Sequence, residues 1–374
     1  MMAPACASMG GPPSGRGLEM MKQSANYRDG RFVNGIPVGD PPLFQTLKEW
    51  VKGGEHTVPE KPVPVVKLGK TDLATLPPSG LRITWIGHST TLVEIDGVRL
   101  LLDPIWSTRS SPFSWTGPKR FYEPPVSLDD LPPIDAVLIS HDHYDHLDMD
   151  TVIGLARKGF RFLVPLGVGA RLMNWGIPAG RIEELDWWEA AEVKEVTVTA
   201  TPARHFSGRS LLMMDRDKTL WSGFAMAGPE HRVYYSGDTG MFPGIIEIGK
   251  RLGPFDASLV EIGAYHQLWA DLHLGPEQAV QAVKDVRGGM LIPTHWATFD
   301  LALHSWVEPA ERLITAAAKR NIPLAIPKPG QSVEPSSPRP LVRWWPEIPW
   351  QTAEEHPVVS SGPATRLRQG ISNE

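Results

Sequence analysis

The stretch that decides the fold is SHDHYDHLD, residues 140–148. It follows the apolar segment DAVLIS and precedes a helical pattern, so we expect a loop at the carboxyl end of a buried strand. Within it stand the candidate metal ligands His141, His143, Asp145 and His146. Imidazole and carboxylate groups together suit Zn²⁺ and similar ions, and side chains two apart on an extended segment share a face. The alternative is a solvated polar loop.

Three further candidate ligands stand at later strand ends. His205 follows VTVTATPA, Asp238 ends RVYYSGD, and His295 ends GMLIPTH. Each has an ordinary alternative, because buried histidines often bond within the core and Asp238 before Thr239-Gly240 suits a turn. Together with the loop they make seven ligands, which is enough for two metal ions with a water between them.

The pattern around these residues alternates between strands and helices and predicts one α/β domain over residues 80–330. Residues 1–30, rich in Gly, Pro, Ser and Met, are predicted to be a disordered arm. Residues 31–79 are predicted to be an extended N-terminal wrap with a short helix near 43–51. Residues 331–374 are predicted to be a Pro-rich C-terminal extension and tail, of which Trp344 and Trp345 dock on the body.

Composition excludes several classes of protein. The chain has 374 residues and a net charge of −5. It therefore lacks the overall excess of basic residues that is typical of nucleic-acid-binding proteins. Its one cysteine, Cys6, excludes an intramolecular disulfide and a CxxC metal site. We read no membrane-spanning apolar run and no secretory signal, so we expect a cytoplasmic protein, with peripheral membrane contact left open.

The order HxHxDH, then single His, Asp and His at strand ends, resembles the metallo-β-lactamase superfamily. The resemblance implies an αββα four-layer sandwich with a dinuclear metal site at one edge. It implies two Zn²⁺ per chain, with other divalent transition metals left open. The implied ligands are His141, His143 and His205 for one ion, Asp145, His146 and His295 for the other, and Asp238 as the bridge.

A narrower resemblance is to the phospholipase D family that hydrolyses N-acylphosphatidylethanolamine. It rests on WIGHSTTLVEIDGVRLLLDPIW, SPFSWTGPKRF, LPPIDAVLISHDHYDHLD, ELDWWE, SGDTG, EIGKRLGPFD, IGAY and THWATFDLA, with a weaker echo in RDGRFVNGIP (28–37). It implies a phosphodiesterase that uses a metal-bridging hydroxide to release N-acylethanolamine and phosphatidic acid. The expected partners are a phospholipid or another phosphodiester substrate, a membrane surface touched peripherally, and a second copy in a homodimer.

Asp145 and His273 are the predicted catalytic residues. By the resemblance, His273 in DLHLGPEQAV contacts phosphate or protonates the leaving alkoxide; the alternative is a local hydrogen bond at a helix start. Leu272 stands where the family has a glutamine. His88 in GHST and Asp103 in LLDP are expected to orient ligands, with ordinary turn chemistry as the alternative.

Two other functions stay open from the sequence. One is a metal-dependent hydrolase of soluble phosphoesters or lactones on the same fold. The other is a non-catalytic binding protein, against which the complete set of seven ligands argues.

Overall fold

The computed structural model describes residues 4–39 and 41–361; most of the expected C-terminal tail lies outside them. The helices are α1 (Pro4–Met9), α2 (Gly15–Gln23), α3 (Leu43–Lys52), α4 (Met149–Arg157), α5 (Val168–Asn174), α6 (Gly244–Leu252), α7 (Pro276–Asp285) and α8 (Glu308–Arg320), with short 3₁₀ turns at Leu128–Asp130, Ala179–Arg181 and Gln267–Trp269. The strands are β1 (Tyr27–Arg28), β2 (Arg31–Phe32), β3 (Leu81–Gly87), β4 (Thr90–Ile95), β5 (Val98–Leu102), β6 (Ala136–Leu138), β7 (Arg161–Pro165), β8 (Ile182–Leu185), β9 (Ala190–Val193), β10 (Val196–Thr201), β11 (Gly223–Ala227), β12 (Arg232–Tyr235), β13 (Ala257–Glu261), β14 (Met290–Thr294) and β15 (Ser332–Val333).

Two mixed sheets pack face to face. The first has the strand order β15-β3-β4-β5-β6-β7-β8, and the second has the order β14-β13-β12-β11-β10-β9. A shared apolar layer that includes Ile83, Leu100, Val198 and Leu259 lies between them. Helices α4 and α5 cover the outer face of the first sheet, and α6, α7 and α8 cover that of the second. The αββα sandwich is therefore confirmed.

Strand direction brings the candidate ligands to one edge. β5, β6, β7 and β8 run parallel in the first sheet, and β12, β13 and β14 run parallel in the second. Strands covered on both faces read as continuous apolar runs, as AVL in β6 does. Loops at the carboxyl ends of parallel strands meet at one edge, which is where open α/β sheets carry their sites.

The N-terminal arm differs from its prediction. Residues 4–9 and 15–23 are helical, and Met21 is buried in a small cluster with Phe32, Leu166 and Trp221. The carbonyl of Ser8 accepts a hydrogen bond of 2.9 Å from the buried guanidinium of Arg209. Disorder is therefore wrong for this part of the chain, because its few apolar side chains find partners that are far away in sequence. The other domain boundaries stay a prediction.

The C-terminal extension docks through its tryptophans, as expected. The ring of Trp296 lies 5.4 Å from that of Trp344 and 5.6 Å from that of Trp345. Both C-terminal rings are buried in the apolar cluster beneath α6, α7 and α8. Aromatic packing of this kind holds a proline-rich segment whose regular structure, among its described residues, is the two-residue strand β15.

The expected helix near residue 43 is present as α3, but no residue of it is buried. Its exposed apolar side chains, called here the α3 apolar face, are Leu43, Phe44, Leu47, Trp50 and Val51. Phe44 is 86% exposed and Val51 is 80% exposed, which is unusual for large apolar residues grouped on one short helix. Trp50 contacts the body, where its ring stacks on that of Trp269 at 6.2 Å.

Candidate metal centre

All seven predicted ligands meet at the common sheet edge. The loop after β6 carries His141, His143, Asp145 and His146, and it ends where α4 begins. The other three follow β10, β12 and β14. The site is thus assembled from both sheets, although its residues span more than 150 positions of the chain.

The first ligand group contains three imidazoles. His141 Nε2 lies 2.8 Å from His143 Nδ1, and His205 Nε2 lies 3.3 Å from the same Nδ1. Burial, together with neighbouring imidazoles, lowers the pKa of His141 and His205 well below its usual range. Burial likewise lowers the pKa of His143. Neutral imidazoles whose ring nitrogens converge have the protonation state that metal ligation requires.

The second ligand group is built around Asp145. Its Oδ2 lies 3.1 Å from His295 Nε2 and 3.5 Å from His146 Nε2. His88 Nε2 lies 3.0 Å from the same oxygen, so His88 orients Asp145 as expected or joins it as a ligand. Burial, His295 and other neighbours lower the pKa of His88 to about 3.

Asp238 lies between the two groups. Its Oδ2 is 3.2 Å from His146 Nε2 and 3.1 Å from His295 Nε2 on one side. On the other side it is 3.8 Å from Nε2 of both His141 and His205. This placement fits the bridging role that the resemblance implies.

The electrostatics of the site favour a cation. Burial opposes ionisation, but His146 and its neighbours hold the pKa of Asp145 and Asp238 well below the usual range. Although burial lowers it, Asp238 and Asp145 raise the pKa of His295 to about 10. No arginine or lysine is among the described ion-pair partners of the two buried carboxylates, so either protonated histidines or a bound cation must balance their charge.

Buried polar atoms of the site that lack hydrogen-bond partners also fit a bound metal ion. His143 Nε2 and Asp238 Oδ1 are buried and have no hydrogen-bond partner among the described residues. Buried polar atoms without partners are rare in native proteins and call for an ion or a ligand. Five imidazoles and two carboxylates are a donor set suited to Zn²⁺ and related ions.

Hydrogen bonds behind the ligands hold them in place. Asp103 accepts from His146 Nδ1 at 2.7 Å and from the Ser140 hydroxyl at 2.6 Å, which agrees with the orienting role expected of it. His205 Nδ1 donates to the Leu272 carbonyl at 2.9 Å. Such contacts set which ring nitrogen is free to bind a metal.

The N-terminal wrap also contacts the site. Asn34 Nδ2 donates to the carbonyl of His205 at 2.7 Å, and Asn34 Oδ1 accepts from the amide of the same residue at 3.1 Å. Asn34 lies in RDGRFVNGIP, the segment whose weak echo of the family had no assigned role. Sequence reasoning missed this residue, although the echo itself was the signal that could have identified it.

A cavity of about 290 Å³ opens over the ligands. His143, Asp145, Asp238 and His295 form its base, and His273 stands beside them with its Nδ1 3.8 Å from Asp238 Oδ2. The remaining wall is apolar: Pro41, Trp50, Phe206, Ala264, Trp269, Leu272 and Leu301. A metal-lined base under an apolar wall suits an ester with a charged centre and apolar substituents.

Glu261 was not singled out from the sequence. It is the last residue of β13, and its carboxylate accepts a 2.7 Å hydrogen bond from His273 Nδ1. An acidic residue that ends the otherwise apolar strand ASLVE, at the edge where the ligands gather, was the available signal.

Comparisons with known proteins agree with the fold and with a metal-dependent hydrolase. A family profile described as "Beta-lactamase superfamily domain" matches residues 98–296. An uncharacterised protein of Mycobacterium tuberculosis is 48% identical over 334 residues, which are 87% of this chain and 88% of the relative. A metallo hydrolase structure from Ignicoccus hospitalis has a TM-score of 0.52 and 25% identity, and the match covers 68% of this chain and 97% of that one.

The name of one relative states a specific activity. The N-acyl-phosphatidylethanolamine-hydrolyzing phospholipase D 1 of Caenorhabditis elegans is 40% identical over 248 residues, which are 63% of this chain and 69% of the relative. These matches, with the αββα fold and the ligand geometry, argue against a non-catalytic binding protein. The chain is a metal-dependent hydrolase that belongs to the metallo-β-lactamase superfamily, in the family of the N-acylphosphatidylethanolamine-hydrolysing phospholipases D.

Proposed function

We propose that the protein hydrolyses N-acylphosphatidylethanolamine-type phospholipids to N-acylethanolamine and phosphatidic acid, with two Zn²⁺ ions at the metal centre. The observation that carries the proposal is the position of Asp238 between two ligand groups at the base of an apolar-walled cavity. The name of the C. elegans relative, at 40% identity, supports the same substrate class.

Two bound cations would activate water and offset negative charge on the phosphoryl oxygens. The imidazoles and carboxylates of the seven candidate ligands would hold those cations. The indole and phenyl rings of Trp50, Trp269 and Phe206 wall the cavity and limit the access of bulk water. In its doubly protonated form, with Nδ1–H donated to Glu261, His273 is positioned to give its Nε2 proton to the ethanolamine oxygen as the bond between that oxygen and phosphorus breaks.

The α3 apolar face favours a lipid over a soluble ester. Trp50 lines the cavity, while Leu43, Phe44 and Leu47 on the same helix are exposed to solvent. The cavity has room for a head group, so the acyl chains of a lipid would leave it along α3. Among the described residues no helix is long and apolar enough to cross a bilayer, so the proposed membrane contact is peripheral.

The function is tested with N-palmitoyl phosphatidylethanolamine in mixed micelles, beside bis(4-nitrophenyl) phosphate as a soluble diester. We expect lipid turnover, with palmitoylethanolamide and phosphatidic acid identified by mass spectrometry, and about two zinc ions per chain by elemental analysis. Asp145→Asn is the inactive control. Turnover of the soluble diester or of a lactone alone, with no lipid product, would contradict the proposed substrate.

The membrane contact is tested with the double substitution Phe44→Ser and Leu47→Ser. Each side chain loses roughly 1.5 kcal/mol or more of apolar burial in a membrane, so vesicle binding should fall by at least 10-fold per residue. Val342→Ser, an exposed apolar residue in the C-terminal extension, is the matched control. Hydrolysis of the soluble diester should stay unchanged. Equal vesicle binding by the wild type, the double variant and the control would contradict a role of α3 in membrane contact.

A homodimer stays a prediction, which sedimentation measurements can test.

A further inference from the structure

Glu261 is a buried carboxylate with both oxygens engaged. Its side chain is fully enclosed, and Oε2 accepts the 2.7 Å hydrogen bond from His273 Nδ1. Oε1 accepts from the backbone amide of Thr239 and, at 3.4 Å, from that of Leu274. The carboxylate therefore joins two segments, one next to Asp238 and one carrying His273.

Neither the fold nor the metal ligands account for a charge at this position. Residues 257–260 of β13 are small or apolar, and burial of an ionised group costs free energy unless the group is paired. Among the residues the structure describes, the ionic partners of Glu261 are histidines: His273 and, at the longer distance of 3.9 Å, His295. The contact with His273 is thus the shortest ionic contact that the carboxylate makes.

That contact decides what His273 presents to the cavity. A histidine that donates from Nδ1 leaves Nε2 as the nitrogen available to a substrate. The ring is held on its faces as well, since it stacks on His295 at 5.1 Å with an interplanar angle of 19°. The imidazole borders the cavity, while Glu261 lies wholly behind it.

We propose that Glu261 is a positioning residue that fixes the ring orientation and the tautomer of His273, so that Nε2 faces the leaving oxygen of the substrate. The inference rests on the proposed function, because it gives His273 a role in that reaction. By also binding the Thr239 amide, Glu261 sets the distance between His273 and the Asp238 loop.

Glu261→Gln tests the tautomer directly. The amide oxygen of glutamine must still accept from the Thr239 amide, so its NH₂ group turns toward His273 Nδ1. Nδ1 then becomes the acceptor, and the proton moves to Nε2. In ¹⁵N-histidine spectra of the purified enzyme with its metals, with His273→Ala used to assign the signal, we expect the neutral ring to carry its proton on Nδ1 in the wild type and on Nε2 in the variant.

Kinetics test whether Glu261 acts through His273. With N-palmitoyl phosphatidylethanolamine we expect kcat of Glu261→Gln to fall about 10- to 100-fold, with KM nearly unchanged. In the His273→Ala background the same change should have no further effect, because residues that act as a unit are non-additive. Bis(4-nitrophenyl) phosphate, whose leaving group needs no proton, should recover most of the rate in both single variants.

The matched control is Glu94→Gln, which changes a fully buried glutamate of β4 that pairs with Arg82 and Arg99. It should leave the kcat and the His273 signal unchanged. Loss of metal from Glu261→Gln, or multiplied losses in the double variant, would overturn the inference, as would an unchanged tautomer. If the wild type hydrolyses neither diester, the proposed function fails, and the tautomer measurement still decides whether Glu261 positions His273.

Discussion

Two buried clusters of the molecule combine imidazoles with carboxylates. The negative charge of the carboxylates is balanced in a different way in each cluster. One is the metal centre. The other, called here the α8 cluster, consists of Tyr265, His304, Glu308, Arg312 and His356. Glu308 Oε1 accepts from the Tyr265 hydroxyl at 2.8 Å and from Arg312 at 3.2 Å, and Oε2 accepts from the Gln351 amide at 3.1 Å. Arg312 also forms a two-pronged ion pair with Glu277, at 2.7 and 3.1 Å.

The difference helps to distinguish a buried polar cluster that stabilises the fold from one that serves a function. In the α8 cluster the cation belongs to the chain itself, so the charge of Glu308 is neutralised once the protein folds. In the metal centre the ion-pair partners of Asp145 and Asp238 are histidines, and Asp238 Oδ1 stays without a hydrogen bond among the described residues. We therefore expect substitutions in the first cluster to act on stability and those in the second to act on chemistry.

The largest expected effect comes from Asp238→Asn. Removing the charge between the two ligand groups should lower turnover by roughly 1,000-fold, because metal activation of the nucleophile contributes several kcal/mol. Bound metal should fall in the same samples, while far-ultraviolet circular dichroism stays native. A wild-type protein that is fully active without any transition metal would break the comparison at its first step.

Arg312→Met should act on stability instead. It leaves Glu308 buried without its cation, and breaking a buried ion pair costs about 3–5 kcal/mol. Urea unfolding should show this loss, while kcat per folded molecule stays near the wild-type value. Adding Glu308→Gln should restore part of the lost stability, because the unpaired charge is then removed. If Arg312→Met abolished turnover of folded protein, the α8 cluster would belong to the chemistry.

Metal removal should also act on stability, but reversibly. Binding of an ion to the native state alone stabilises it by about 4 kcal/mol when the free ion is at 1,000 times its Kd. Dialysis against a chelator should therefore lower the melting temperature, and added Zn²⁺ should restore it. The shift should add to that of Arg312→Met, because the two clusters are independent. An identical melting temperature with and without metal would mean that the site holds no ion tightly.

The smallest effect is a pH dependence that belongs to the α8 cluster. Burial raises the pKa of Glu308, but His356, His304, the Gln351 amide and Tyr265 lower it to about 2, against 4.5 for a free glutamate. A carboxylate with a depressed folded pKa stabilises the protein above pH 4.5 and loses that contribution as the pH falls toward 2. The shift of the Glu308 pKa from 4.5 to about 2 corresponds to a stabilisation of the folded state by about 3 kcal/mol at most.

Glu308→Gln separates this contribution from those of the other acids. The difference in unfolding free energy between the wild type and Glu308→Gln should be constant above pH 5 and should shrink between pH 4.5 and 2.5. Metal loss in acid affects both proteins and cancels in the difference. A difference that stays constant across this range would show that Glu308 is not held ionised by its neighbours.

Local sequence was sufficient to predict the seven candidate ligands. They follow apolar strands, and the HxHxDH spacing depends only on neighbours along the chain, so a pattern of a few residues identifies them as candidates. Asp-Gly between two apolar runs is also a local signal, typical of a hairpin turn, and Asp96 and Gly97 adopt positive φ, of 46° and 85°, between β4 and β5. The helix expected near residues 43–51 ends within one residue of the observed end of α3.

Other elements were missed because their sequences contain weak local signals. β11 reads GFAMA and has no β-branched residue, so only its pairing with β10 and β12 makes it a strand. α6 begins with glycine and contains a second one, and its apolar side chains gain their burial from α7 and the second sheet. The helical N-terminus was missed for the same reason, since the residues that bury Met21 lie far along the chain.

Only the tertiary structure determined which charged side chains of the site contact one another. The sequence placed Asp238 and His295 at strand ends, but the position of Asp238 between both ligand groups depends on the packing of two sheets. It predicted a short helix near residues 43–51, whereas the exposure of the α3 apolar face depends on where the helix lies on the body. The pairing of Glu261 with His273 arises from a loop that returns to the end of β13. Periodicity reports which side chains share a face of one element, but contacts between elements depend on the packing of the whole chain.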